Sequence, residues 1–326
     1  MSTVQARDVS DREQASGGGC PICGSNAREY MRLSAGGELR HCDTCGLTFA
    51  HPLDLQDTPQ GLFARAYSGR ESRASMAMFH QRLVWRADLL SAGARIEQVL
   101  PRTQKRALDY IERVAGRGAS VLDIGCGSGL FLEAASRRGY EVSGVEVAEP
   151  AVRFTQGQGY RVFHGTVEET PEDWSDPDVC TAFYMIHHVT DPGRFLETIR
   201  RKFPRAHLVL TEHYLGEGPK KIAPMNLPPR RLTIWTQESL RVALTNAGFE
   251  IDDISLVPHP PFHESLDGAL TRLYCSVRGA IPGSVRPRLI ASYLKAQESS
   301  SAALRWIIPG SPNAAQQHLL ALARPA

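Results

Sequence analysis

Four of the seven cysteines stand in two Cys-x-x-Cys pairs, Cys20/Cys23 and Cys42/Cys45, with 18 residues between the pairs. Thiolates so spaced fold as two loops around one tetrahedral ion, and a glycine follows the second cysteine of each pair (Gly24, Gly46). Four cysteines close the coordination sphere, so the Zn2+ expected here is structural. It supplies stability that so short a segment cannot obtain from apolar burial. Paired thiols also indicate a reducing compartment rather than a disulfide framework; unligated cysteines are the other reading.

A second chemical feature is Asp123-Ile-Gly125-Cys126-Gly127-Ser-Gly129. It lies between a short apolar run and a helical pattern, where a doubly wound sheet binds nucleotide-like ligands. Glycines let the backbone approach the ligand and leave helix N-terminal N–H groups free for a carboxylate or phosphate. A plain tight turn, or a dinucleotide loop, is the competing reading, although the dinucleotide fingerprint has a different glycine spacing. Glu146, followed by Val147, ends the next strand-like run, where a carboxylate can take both ribose hydroxyls of an adenosine. Asp123 precedes the turn, near the expected position of a cationic ligand group.

The third feature is His187-His188, a pair with a near-neutral intrinsic pKa suited to removing a proton from an acceptor. A helix cap or a backbone hydrogen bond is the alternative role for each. Glu212, His213 and Tyr214 form a second candidate set. Arg230 and Arg231 either hold a carboxylate or phosphate or are simply solvated. Cys126, Cys180 and Cys275 are read as small buried side chains, none having a visible base partner.

The elements that must position these groups follow from periodicity. Apolar or strand-like runs at 121–124, 141–147, 161–167, 179–186, 207–211 and 249–257 alternate with helical patterns at 130–139, 150–157, 191–202 and 237–247. Such alternation predicts an α/β fold, a Rossmann-like doubly wound and mainly parallel sheet covered on both faces. The predicted organisation is a disordered leader over 1–19, a zinc ribbon over 20–52, a helical connector or lid over 53–106, a ligand-binding domain over 107–257 and a C-terminal extension over 258–326. Pro101 should split the helical run at 62–114.

The sequence of stations resembles the class I S-adenosylmethionine (SAM) dependent methyltransferases. Their signature after the first strand is close to Val-Leu-Asp-x-Gly-x-Gly-x-Gly, here Val121 to Gly129. Tyr184-Met-Ile-His187-His188-Val-Thr-Asp191-Pro192 and Trp235-Thr236-x-x-Ser239-Leu240 followed by Ala247-Gly248-Phe249 are similar to later stations of the family. The resemblance implies that the 123–129 turn holds the methionine end of SAM, Glu146 the ribose, Thr166 the adenine side and Tyr184 the pocket wall. The cysteine segment is similar to the ribbon carried by a subset of these enzymes. That subset acts in secondary-metabolite, sugar or envelope biosynthesis, which implies O- or C-methylation of a small molecule.

With 37 basic and 35 acidic residues the formal charge is +2, too small for a global field that draws the chain to nucleic acid or an anionic membrane. The N-terminus is polar and without an apolar signal core, so a cytoplasmic location without membrane insertion is expected. Two rival readings stay open: an RNA methyltransferase that uses the ribbon to hold its substrate, and a non-catalytic scaffold. Sequence does not choose an oligomeric state.

Overall fold

The computed structural model describes residues 19–33, 37–52, 100–172, 174, 176–216, 222, 226–228, 230–258 and 317–326, with parts of 273–292. The expected leader (1–18), most of the helical connector (53–99) and most of the tail lie outside the described residues. Among the described residues, no helix is long and apolar enough to cross a membrane.

Three short strands, β1 (Arg28–Arg32), β2 (Glu38–His41) and β3 (Thr48–His51), follow the first cysteine pair and surround the second. Helix α1 (Arg102–Ala115) then leads into β4 (Ser120–Ile124), α2 (Leu130–Arg137), β5 (Glu141–Glu146), α3 (Glu149–Gly157) and β6 (Arg161–His164). The chain continues through β7 (Val179–Phe183), α4 (Pro192–Lys202), β8 (His207–Tyr214), β9 (Thr233–Ile234), α5 (Gln237–Asn246), β10 (Phe249–Pro258) and β11 (Gln317–Pro325).

Seven strands form one sheet in the order β10-β11-β8-β7-β4-β5-β6. The pairs among β6, β5, β4, β7 and β8 are parallel, and β11 runs antiparallel to both its neighbours. This is a Rossmann-like, mainly parallel sheet. Alternate residues of β4 feed opposite layers, as the two-residue strand period requires. Val121 packs with Ala107, Leu108 and Ile111 of α1 and Phe131 of α2, whereas Leu122 and Ile124 pack with Phe195, Leu196 and Ile199 of α4 and Leu240 of α5.

Helix starts follow their caps. Asp191 accepts from the Arg194 N–H ahead of Pro192, and Thr236 forms a capping box with Ser239. Pro101 stands immediately before α1, whose first turn begins at Arg102.

Three boundaries differ from the periodicity. The run at 161–167 stops as a strand at His164 because Gly165 takes φ +152°. The run at 179–186 stops at Phe183, since Tyr184 adopts φ +54° and Ile186–His188 form a 3-10 turn. In the third case the element is longer: β8 extends to Tyr214, where it pairs with Gln317 of β11.

That last strand revises the organisation of the sheet. Gln317–Pro325 comes from the segment expected to be an extension, yet it lies between β8 and β10 and buries Leu319, Leu320, Ala321 and Ala323. The ribbon is likewise not a free-standing module. β9 completes its sheet in the order β1-β2-β3-β9, and Cys20, Cys42, Cys45, Leu47 and Phe49 share a core with Trp235, Leu240 and Leu244. Full burial of side chains such as Phe49 and Trp235 is worth about 1.5–3 kcal/mol each, enough to fuse two small layers.

Candidate functional site: a cleft at the strand ends

The carboxyl ends of β4, β5, β6 and β7 converge on a cavity of about 600 Å³. Gly125, Gly127, Glu146, Val147, Thr166, Tyr184 and His188 line it. Sequence reasoning had placed all of these at the site, and the structure brings them to one cleft.

The glycine turn is shaped by positive φ at Gly125 (+78°), Gly127 (+52°) and Gly129 (+69°), a region that side-chain-bearing residues avoid. At Gly125 a Cβ would also meet the Met185 side chain at 3.3 Å. The turn is tied to β5 by Gly125 and Cys126 N–H groups donating to the Val145 carbonyl at 2.8 and 3.1 Å. Glu146 completes the arrangement: Oε2 accepts from the Gly127 N–H (2.9 Å) and Oε1 from the Ala148 N–H (2.8 Å). Burial pushes this carboxyl above its ordinary range, while the two N–H groups work in the opposite direction. Two backbone N–H groups thus hold the carboxyl where the residue lines the cavity.

Asp123, Cys126, Gly129 and His187 are not among the lining residues. Asp123 is buried behind the turn and accepts from Thr181 Oγ1 at 2.7 Å. Burial pushes its carboxyl up to about 7, and the nearby Glu146 adds to the rise. The Cys126 side chain points the other way, into a cluster with Leu132, Val152 and Val162. It comes so close to β5 that a Cβ on Gly144 would stand 2.6 Å from its Sγ, which explains a glycine within that strand. The expected place of Cys126 at the ligand is therefore not seen: its side chain packs away from the cavity and its N–H is held by the Val145 carbonyl. On the adenine side, the Thr166 N–H donates to Glu169 Oε2 at 2.8 Å, leaving the Thr166 side chain as the lining group.

The wall opposite the turn is built from side chains. His187 is fully enclosed and its Nδ1 lies 2.6 Å from Glu212 Oε2. Glu212 Oε1 accepts from the His213 N–H at 2.6 Å and lies 3.7 Å from the Arg231 guanidinium. Burial pushes Glu212 up, and it drives His187 and His188 well below the ordinary histidine range and His213 down to about 3. Of the expected pair, His188 reaches the cavity and His187 stands behind it, ring centroids 3.9 Å apart. Arg231 turns inward to Glu212 rather than outward as a solvated loop arginine.

Tyr184 bridges the two walls. Its hydroxyl is 2.7 Å from both Thr103 Oγ1 and His318 Nδ1, and its ring lies against His213 at 4.8 Å. Thr103 and His318 were not foreseen. The apolar run Leu319-Leu-Ala-Leu-Ala323 after His318 was the available signal for a buried strand.

The cysteine cluster forms a separate site. All four Sγ atoms lie within 4.8 Å of one another, with Cys20–Cys45 and Cys23–Cys42 at 3.5 Å. Tetrahedral thiolates about 2.3 Å from Zn2+ stand roughly 3.8 Å apart, so the donor set fits that ion. The two loops are alike: Gly24 donates to the Cys20 carbonyl (2.9 Å) and Gly46 to that of Cys42 (2.8 Å), both glycines at positive φ.

Comparison with known proteins agrees with this geometry. Residues 97–254 match the family described as "Methyltransferase domain". Several curated relatives carry the name ubiquinone biosynthesis O-methyltransferase. That of Aromatoleum aromaticum is 37% identical over 94 residues, 26% of this chain and 40% of the relative. That of Alkalilimnicola ehrlichii is 32% identical over 126 residues, 35% and 49% of the two chains. That of Marinobacter nauticus is 27% identical over 179 residues, 47% and 74%. The first two matches thus span less than half the relatives' length.

Proposed function

We propose that this chain, whose residues 97–254 match the family described as "Methyltransferase domain", is a class I SAM-dependent methyltransferase that transfers the methyl group of SAM to a hydroxyl oxygen of a small molecule. The observation that carries the reading is the meeting of Glu146 with the Gly127 N–H at the mouth of the 600 Å³ cavity. A carboxylate and a glycine turn so disposed can take the ribose and the methionine end of one nucleoside.

The reaction requires little from the protein beyond alignment, because the sulfonium is already activated. The acceptor oxygen forms a bond to the methyl carbon as the carbon–sulfur bond breaks, and S-adenosylhomocysteine leaves. The hydroxyl proton must go to a base. His188 lines the cavity and burial disfavours its charged form, so its ring is the group placed to receive that proton. His187, fixed by Glu212, backs the His188 ring and sets its position. The names of the relatives favour oxygen as the acceptor atom.

A small acceptor is favoured over RNA by the ribbon's charge pattern. Arg28 pairs with Asp43 (3.0 Å), Arg32 with Glu29 (2.9 Å) and Arg40 with Glu38 (2.5 Å). Nucleic-acid binding needs cations available to phosphates, and these are matched internally.

Titration calorimetry with SAM tests the cofactor site. Glu146→Ala should weaken binding about 100-fold, the loss of two charge-assisted hydrogen bonds at about 1.5 kcal/mol each. Unchanged affinity in the variant rejects the assignment. Incubation of the intact protein with methyl-labelled SAM and a metabolite extract should label hydroxyl-bearing small molecules; label on RNA, or none, rejects the acceptor class.

A further inference from the structure

The cysteine knuckle and the histidine wall are joined by a continuous path of short contacts. Strand β3, immediately after Cys45, pairs antiparallel with β9, Thr48 opposite Ile234 and Phe49 opposite Thr233. The ladder continues past β9. The Ala50 N–H donates to the Leu232 carbonyl, and the Leu232 N–H donates to the His187 carbonyl, each at 2.8 Å. Arg231, adjacent to Leu232, faces the Glu212 carboxylate that also holds His187.

The knuckle is seated on the far side of β9 as well. A Cβ on Gly46 would lie 2.9 Å from Thr236 Oγ1, the atom that caps α5, and Asn246 Nδ2 donates to the Ile22 carbonyl at 3.0 Å. Trp235, fully buried between these contacts, packs in the same core as Cys20, Cys42 and Cys45. The glycine turn shares that core only through Leu122, Ile124 and Val145; its hydrogen bonds run elsewhere, to Val145 and Glu146 of β5.

We propose that the four-cysteine knuckle is a positioning element for the acceptor wall: the fold it adopts around a metal ion fixes β9, and β9 fixes the backbone of His187 and the register of Arg231 against Glu212. Metal occupancy then controls the geometry of the acceptor side and leaves the SAM side untouched. The inference rests on the proposed function only for which wall faces the acceptor; the mechanical link is a property of the fold.

Amide exchange of the full chain, Zn2+-loaded and after removal of the metal with a mercurial and chelator followed by thiol, reads the link directly. Metal removal should speed exchange at the Leu232 amide and across 186–189 by at least about tenfold, with 122–129 unchanged, since each segment opens as its own unit. Affinity for SAM should shift by less than about threefold, below the usual range of site-to-site coupling. Uniform acceleration in both segments, or none at Leu232, overturns the proposal.

Should the metal-free chain lose its secondary structure, Gly46→Ala at saturating Zn2+ replaces it, because the added methyl meets the Thr236 cap while the thiols remain. The same selective acceleration is expected, and its absence overturns the proposal. Failure of the loaded wild type to bind SAM instead rejects the cofactor reading and leaves the exchange result to stand alone.

Discussion

The two walls of the cleft are made in opposite ways. The wall proposed for the cofactor comes from residues between Asp123 and Thr166, and its hydrogen bonds run mostly from backbone N–H groups: Gly127 and Ala148 to Glu146, Gly125 and Cys126 to Val145. The wall proposed for the acceptor presents Tyr184 and His188 to the cavity and backs them with Thr103, His187, Glu212, Arg231 and His318, joined largely through side chains. A site made of backbone tolerates changes to its side chains except where a glycine or an aimed carboxylate is required. A site made of buried side chains is sensitive at every member, because each removal leaves a partner unsatisfied.

The comparison predicts that variants on the two walls separate binding from turnover. The largest effect should come from the acceptor wall. His188→Gln is expected to lower kcat by roughly 10²- to 10⁴-fold, the usual contribution of a positioned base, with the SAM dissociation constant unchanged. Single-turnover transfer with an identified acceptor, alongside calorimetry, measures both. A parallel loss of SAM affinity would erase the division between the walls.

A smaller effect, opposite in sign for stability and binding, is expected at Asp123. Burial lifts its carboxyl to about 7, above its range near 3.9 in an unfolded chain, so the folded protein retains a proton that the unfolded chain has lost between these values. Stability from this group is present at pH 4 and lost as pH rises through 7. Asp123→Asn keeps an acceptor for Thr181 Oγ1 and removes the charge. The variant should gain roughly 2–4 kcal/mol at pH 8 and almost nothing at pH 4. It should also lose the rise in SAM affinity expected of the wild type across neutral pH, where the ionised carboxylate favours a cationic ligand. Thermal unfolding at the two pH values checks the first part; a stability gain independent of pH contradicts it.

How much was legible in the sequence follows the same division. The glycine turn and Glu146 are close in sequence, and their spacing expresses a local strand–turn–helix requirement, so residue order alone located them. The two cysteine pairs were legible for the same reason. His187 and His188 were readable as a pair, but which one meets the cavity depends on the 3-10 turn after Tyr184, which no periodicity reveals. The Arg231–Glu212 contact, the insertion of β11 beside β8 and the merging of β9 with the ribbon sheet join residues separated by tens to hundreds of positions. Such pairings are decided by packing of the whole sheet. Gln317–Pro325 lies beyond the boundary read at Val257, yet it fills the gap between β8 and β10 and completes hydrogen bonding on both sides.

Tyr184 offers the finest test, because it belongs to both walls. Its backbone holds φ +54°, a conformation that costs a non-glycine residue of order 1–3 kcal/mol. Its N–H donates to the Thr211 carbonyl, and its hydroxyl is clamped by Thr103 and His318. The clamp offsets the strain and holds the ring at the cavity wall. Tyr184→Phe keeps the ring and removes the clamp, deleting its hydrogen bonds with Thr103 and His318. Stability should fall by about 1–3 kcal/mol, the loss of two hydrogen bonds at about 0.5–1.5 kcal/mol each. SAM affinity should fall by less than about tenfold, as the ring settles toward a less strained backbone. If binding is lost as completely as in Glu146→Ala, the hydroxyl clamp, rather than the caged carboxylate, orders the cofactor wall, and the two walls are one cooperative unit.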